Sequence, residues 1–226
     1  MAEAVAEASQ GPALTLIGHA AFRPFRNVWM LEELGVPYEY VPAKPRTRES
    51  FKVNPMGKIP ALRDGDFVMY ESAAINTYLG DKFRGRLAED LVPPAGTAER
   101  GRYEQLISFI SMELDAQALW LHRKHEALGD VFGAFPDAVA AAKAHFERAL
   151  GVLAADLGAA AWPFLLGPRF SAADILLAHC LIWAESIGWT PLPDAAGEGV
   201  LRAYLERCQA RPAYARADER KSSSNL

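Results

Sequence analysis

Residues 53–83, VNPMGKIPALRDGDFVMYESAAINTYLGDKF, constrain the fold of this chain more than any other stretch. Ile59-Pro60-Ala61-Leu62 is apolar and stops at Arg63, the pattern of a core strand. Asp64-Gly65-Asp66 supplies a turn, because glycine reaches positive φ at no steric cost, and Phe67–Tyr70 is the return strand. Ser72 is expected as an N-cap, with 73–79 propagating a helix. Pro60 cannot donate to a ladder. With a cis bond before it, the Ile59 backbone turns outward to face a ligand.

Around that core the order of elements is legible. Residues 13–18 alternate apolar positions and read as a first strand. Pro24 suits the start of a helix that continues through 26–34 and stops at Gly35; 36–41 is the next strand. The basic stretch 44–52 reads as a loop. The resulting order, β-α-β-loop-β-β-α, is an α+β, thioredoxin-like arrangement with a parallel pair and a hairpin in one sheet. Residues 84–95, with Pro93 and Pro94 and no period, read as a linker.

Beyond the linker the pattern is helical throughout. Thr97 caps a long helix to about Glu126, with Leu106, Ile107, Phe109, Ile110 and Leu114 at helical spacing. A second amphipathic helix covers 137–157, and 171–187, apolar nearly all round, is the buried central helix. Ser171 caps that helix, Asp174 reaches back to it, and Phe170 staples onto Ile175. A further helix over 200–209 ends near Pro212. The expected layout is a tail at 1–10, a thioredoxin-like domain at 11–84, a linker at 85–95, an all-helical domain at 96–220 and a disordered tail at 221–226.

Composition narrows the function classes. The 226 residues are 50% apolar and 23% charged, as in soluble globular proteins. A net charge of −4 leaves no electrostatic footprint for nucleic acid. No run of about 18 uncharged apolar residues exists to cross a membrane. Residues 1–10, rich in Ala and Glu, lack the basic and apolar regions of a signal peptide. Cys180 and Cys208 are too few for a disulfide framework, which fits a reducing cytoplasm.

In order and spacing, residues 53–72 resemble the glutathione-binding half of the soluble glutathione S-transferases, where N-P-x-G-x-[VI]-P-x-L precedes a cis-proline and an E-S pair opens the next helix. The run Trp29-Met30-Leu31-Glu32-Glu33-Leu34-Gly35-Val36-Pro37-Tyr38-Glu39 is similar to the bacterial, theta- and beta-like members. Phe170-Ser171-Ala172-Ala173-Asp174-Ile175 resembles the head of the buried helix in their second domain. The likeness spans about 14–214. It implies a cytoplasmic homodimer that uses glutathione as co-substrate. The reaction would be attack of its thiolate on a small hydrophobic electrophile, a detoxification chemistry.

The same resemblance assigns candidate site residues. Ile59, Pro60, Glu71 and Ser72 would hold the cysteinyl and γ-glutamyl parts of glutathione. Lys44, Arg46 and Lys58 would hold the glycyl carboxylate, or form a solvated basic face. Phe22, Tyr103, Trp120 and His122, with His125 nearby, would wall the electrophile site. No metal is expected, since His122 and His125 lack a third ligand.

At the activating position the family pattern breaks. The Ser or Cys expected four residues before Arg26 is Phe22, the tyrosine position is Ile17, and no Ser, Thr, Tyr or Cys lies between Gly18 and Val28. Arg23 is the remaining side chain with suitable chemistry, a permanent cation able to stabilise a thiolate, unless it is merely a solvated surface group. Arg26 is read as a structural ion-pairing residue and His19 as a polar loop residue. The rival to a catalyst is a non-catalytic binding or regulatory protein that keeps the fold.

Overall fold

The computed structural model describes residues 14–189 and 199–223; the expected tail at 1–10 lies outside the described residues. Strand β1 (Leu14–Ile17) is buried on both faces, and its alternation divides the sheet domain. Leu14 and Leu16 join the main core with α1 (Phe25–Leu34) and α3 (Ser72–Lys82). Ile17 turns the other way, against Ala61 and against Val53 of α2 (Arg48–Val53). Strands β2 (Glu39–Val41), β3 (Ala61–Asp64) and β4 (Phe67–Tyr70) complete the sheet in the order β2-β1-β3-β4. Only the β1–β2 pair is parallel, with Leu16 opposite Tyr40 on one side and Leu62 on the other.

Three local expectations need correction. Residues 48–53 form a helix instead of continuing the loop, because Thr47 and Ser50 close a reciprocal capping box. Strand β3 begins at Ala61; the Ile59–Pro60 bond just ahead of it is cis. Ser72 is the first residue inside α3, and the N-cap position belongs to Glu71, whose backbone takes φ 76° and ψ 109°. A residue with a Cβ is strained there.

The helical part opens with α4 (Ala98–Phe109), where the Thr97 hydroxyl accepts the Arg100 N–H at 3.1 Å. The rod then winds more widely: π-helical over Ile110–Leu119, α-helical in α5 (Trp120–His122), and π-helical again over Arg123–Ala127. The Trp120 N–H reaches back to the Asp115 carbonyl, and the Leu128 N–H to Arg123. Such insertions shift every later side chain around the helix. After α6 (Gly129–Phe132), α7 (Pro136–Ala160) starts on Pro136.

Helix α8 (Ala172–Ser186) is buried along most of its length. Its cap is a hub: buried Asp174 accepts from the Ser171 N–H (2.8 Å) and hydroxyl (2.7 Å), the Leu165 N–H (2.9 Å) and the Tyr204 hydroxyl (2.9 Å). Tyr204 comes from α9 (Val200–Gln209), so this carboxylate ties α9 to the head of α8. Helix α10 (Pro212–Ser223) corrects the expected tail at 221–226, since its helix includes 221–223. Pro212 begins this helix where the sequence reading stopped one. It packs Tyr214 on Phe25 and Trp29 of α1, and Arg216 and Arg220 both bond Glu32. The main core runs unbroken from Leu16 through Trp29 and Tyr103 to Leu176 and Leu201.

Candidate functional site

Gly18, at the end of β1, fixes where the site forms. Its φ of 137° suits glycine, and a Cβ there would stand 2.6 Å from Pro24 Cγ and 2.9 Å from Ile59 Cβ. The turn 18–24 is thereby pressed against the cis-proline segment. Within the turn, the Ala21 N–H donates to His19 Nδ1 (3.0 Å) and the Phe22 N–H to the His19 carbonyl (3.1 Å). His19 is the polar loop residue expected, and it is buried there as an organiser of the turn. The Ala20 N–H donates to the Tyr40 hydroxyl at 2.8 Å. Residues 18–28 contain no hydroxyl, yet β2 brings one to the turn.

Beneath the turn lies a buried charge cluster built from both parts of the chain. Arg26, 2% exposed, donates through Nη2 to Asp115 (2.6 Å), through Nε to His179 Nδ1 (3.1 Å) and through Nη1 to Ser72 Oγ (3.2 Å). Arg23 Nε lies 2.9 and 3.1 Å from the two Asp115 oxygens, and its Nη2 makes a third contact with that carboxylate. The Arg23 guanidinium also lies 4.9 Å from the Trp183 ring centre and 5.5 Å from that of Trp120. Arg26 is thus the structural ion-pairing residue expected.

The electrostatics follow from this packing. Burial alone would raise the Asp115 carboxyl, but the two guanidinium groups outweigh it and hold the pKa well below the usual carboxylate range. Burial, with Arg26 beside it, pushes His179 well down, which keeps it neutral and able to accept from Arg26. The Cys180 thiol, 3.5 Å from Arg26, is pushed up to about 12 by burial and is no nucleophile. Two arginines against one aspartate leave the cluster with one net positive charge beside the head of α3.

Of the expected glutathione residues, Ile59, Pro60 and Ser72 adjoin this place, and exposed Glu71 caps α3 next to Ser72. Ser72 Oγ accepts from Arg26 and its carbonyl from the Asn27 side chain (2.8 Å), so the E-S pair is braced from α1. Lys44, Arg46 and Lys58 are exposed on two loops joined where the Arg46 N–H donates to the Gly57 carbonyl at 2.7 Å. None of the three forms an ion pair among the described residues.

The electrophile residues divide. Phe22 and Arg23 line a cleft of about 290 Å³ between the turn, α8 and α10, together with Phe25, His179, Trp183, Tyr214 and Arg123. Trp120 lies just behind, on Arg23. Two expectations are corrected. Tyr103 is fully buried, with its hydroxyl 2.8 Å from Thr77 Oγ1, and so cannot wall a cleft. His122 is buried against Trp189, and His125 lies 2.9 Å from the Gly133 carbonyl. The sequence reading missed Trp183, Arg123 and Tyr214. The lone Trp in the otherwise aliphatic run of α8 was the available signal for Trp183.

A thioredoxin-like sheet domain, a helical partner domain and a cis-proline segment beside a helix N-terminus define the class of protein. Two family models fit: the glutathione S-transferase N-terminal domain over residues 24–82 and its C-terminal domain over 136–207. Glutathione S-transferase 3 of Zea mays is 30% identical across 84% of this chain and 85% of its own length. Glutathione S-transferase theta-3 of Mus musculus is 30% identical across 74% and 70%. A solved theta-class enzyme from Xanthomonas axonopodis pv. citri, with glutathione bound, superposes with TM-score 0.69 at 28% identity over 91% of this chain and 97% of that one. The chain belongs to the glutathione S-transferase family.

Proposed function

We propose that this protein is a glutathione transferase that conjugates glutathione to small, largely apolar electrophiles. One observation carries the reading within this family: the turn 18–24, the Ile59–Pro60 segment and the Glu71-Ser72 head of α3 meet at one place. The γ-glutamyl carboxylate sits at the N-terminus of α3, where free N–H groups and the helix dipole favour an anion. The cysteinyl backbone pairs with Ile59 as an added strand. Lys44, Arg46 and Lys58 face the glycyl carboxylate. The division near residues 84–96 into a glutathione-binding and an electrophile-binding half is part of the same proposal.

In the reaction, the thiol proton leaves to solvent and the thiolate sulfur bonds to the electrophilic carbon. The leaving group departs with its bonding pair. The net positive charge of Arg23, Arg26 and Asp115 favours the thiolate, and Arg23 is the member that reaches the cleft. Phe22 opposes activation, because an apolar wall shields the sulfur from water.

A second reading, a non-catalytic glutathione-binding protein, is favoured by Phe22 and by the turn N–H groups of Ala20, Ala21 and Phe22, which already have partners. Retention on immobilised glutathione, followed by assay with aryl halides, epoxides, aryl ethers and peroxides, separates the readings. Retention without turnover on any of them selects the second. We also place the protein in the cytoplasm, as a detoxifying homodimer. Edge strand β4 and the α2 region expose Phe51, Met56, Phe67, Val68 and Tyr70, a patch for a two-fold partner to cover. Light scattering on Phe67→Lys against the unaltered protein checks this.

A further inference from the structure

The cleft beside Phe22 carries an unusual balance of charge for an apolar-substrate site. Arg23, Arg123 and Lys221 line it, and no Asp or Glu does among the described residues. Each cation lies over an aromatic face: Arg23 on Trp183 at 4.9 Å, Arg123 on Phe22 at 5.0 Å, Lys221 on Phe25 at 5.7 Å. A guanidinium stacked on a ring keeps its edge N–H groups for another partner.

Arg123 differs from its two neighbours. Arg23 has Asp115, and Lys221 has Asp218 at 3.7 Å, whereas Arg123 has no ion-pair partner among the described residues. It is half-buried, and both its burial and the charge of Arg23 disfavour its cationic form. An anion placed there offsets both by direct charge pairing. The surrounding Phe22, Ile182 and Trp183 offer an apolar seat for the rest of such a molecule.

We propose that the electrophile taken by this cleft is an aromatic compound bearing an ionised acidic group, with Arg123 as the residue that selects the anion. The proposal rests on the transferase reading of the site and names its substrate class. For an aryl halide of this kind the glutathione sulfur bonds to the ring carbon, the carbon–chlorine bond breaks, and chloride leaves with the bonding pair. The thiol proton goes to solvent, and the acidic group is unchanged.

The test compares 4-chloro-3-nitrobenzoate with its neutral amide, 4-chloro-3-nitrobenzamide, in the unaltered enzyme and in Arg123→Met and Arg123→Lys. Arg123→Met should lower the benzoate-to-benzamide ratio of kcat/KM by roughly tenfold or more, the worth of one charge-assisted hydrogen bond, and Arg123→Lys should restore part of it. In the unaltered enzyme, kcat/KM for the benzoate should fall as salt rises, more steeply than for the amide. An unchanged ratio in Arg123→Met with a flat salt response overturns the proposal. A rise in KM for glutathione in place of the changed ratio also overturns it, by giving Arg123 to glutathione. Should neither compound be conjugated, the transferase reading is judged separately, by the panel of epoxides, aryl ethers and peroxides. Calorimetric titration of the benzoate then still decides the anion site: binding that Arg123→Met abolishes supports it, and no binding to the unaltered protein sinks it.

Discussion

Replacing Asp115 should cost more stability than any surface change, because its carboxylate compensates two arginines at once. Arg26 is 2% exposed and Asp115 5%, so removing the carboxylate strands a buried guanidinium. Breaking a buried pair from one side typically costs about 3–5 kcal/mol. For a chain of this length about 1 kcal/mol moves Tm by about 2–4 °C, so Asp115→Asn should lower Tm by roughly 6–20 °C. Acid dependence gives a second readout. The folded pKa of Asp115 is held below its unfolded value of about 3.9, so its contribution is fully present above that pH and is lost as pH falls further. Denaturant titrations from about pH 6 down to about pH 2.5 should therefore show a shallower acid limb in Asp115→Asn than in the unaltered protein. The paired change Arg26→Met with Asp115→Leu should recover part of the loss, since it removes the two most buried charges and leaves only the partly exposed Arg23 without its partner. A loss below about 1 kcal/mol, or an acid limb of unchanged slope, would refute the claim that this carboxylate holds the two arginines.

Other expectations are simpler to state. Glu71→Gly should relieve the left-handed backbone and stabilise the fold by up to about 1 kcal/mol, while weakening glutathione binding as Ser72→Ala does, by roughly 1–3 kcal/mol on calorimetry. Unchanged affinity in both variants would remove the basis of that site. Asp174→Ala strands four donors, so it should cost on the order of 3 kcal/mol or more, well above an ordinary cap, with turnover per folded molecule retained. Arg23→Ala should raise the pKa of bound glutathione and Phe22→Ser should lower it, both read from thiolate absorbance against pH. If Arg23→Ala leaves that titration unmoved, Arg23 is not the activating group.

Local grammar settled much of this fold. The apolar run at 61–62, the Asp64-Gly65-Asp66 turn, the stop at Gly35 and the Ser171–Asp174 box all act within a few residues, through backbone sterics and short hydrogen bonds. They are legible wherever those residues occur. The family likeness then named Ile59, Pro60, Glu71 and Ser72, and the fold brings them to one place. Even here a local reading had limits: the Thr47/Ser50 box was present in the sequence and was passed over as a basic loop.

What the sequence alone did not decide depends on groups far apart in the chain. Asp115 meets Arg23 and Arg26 about ninety residues away, and Tyr40 reaches Ala20 across the sheet. No spacing rule encodes such contacts, because the first follows from how the two domains pack and the second from the pairing of β1 with β2. The electrophile wall is the sharpest case. The resemblance offers Tyr103, Trp120 and His122 as walls of one cleft, but packing against Thr77 and Trp189 buries Tyr103 and His122, and Trp120 alone lies beside Arg23 at the cleft. Arg123 and Trp183 come to face Phe22 for the same reason: helices from the second domain close over a turn of the first, and that approach exists only in the folded chain.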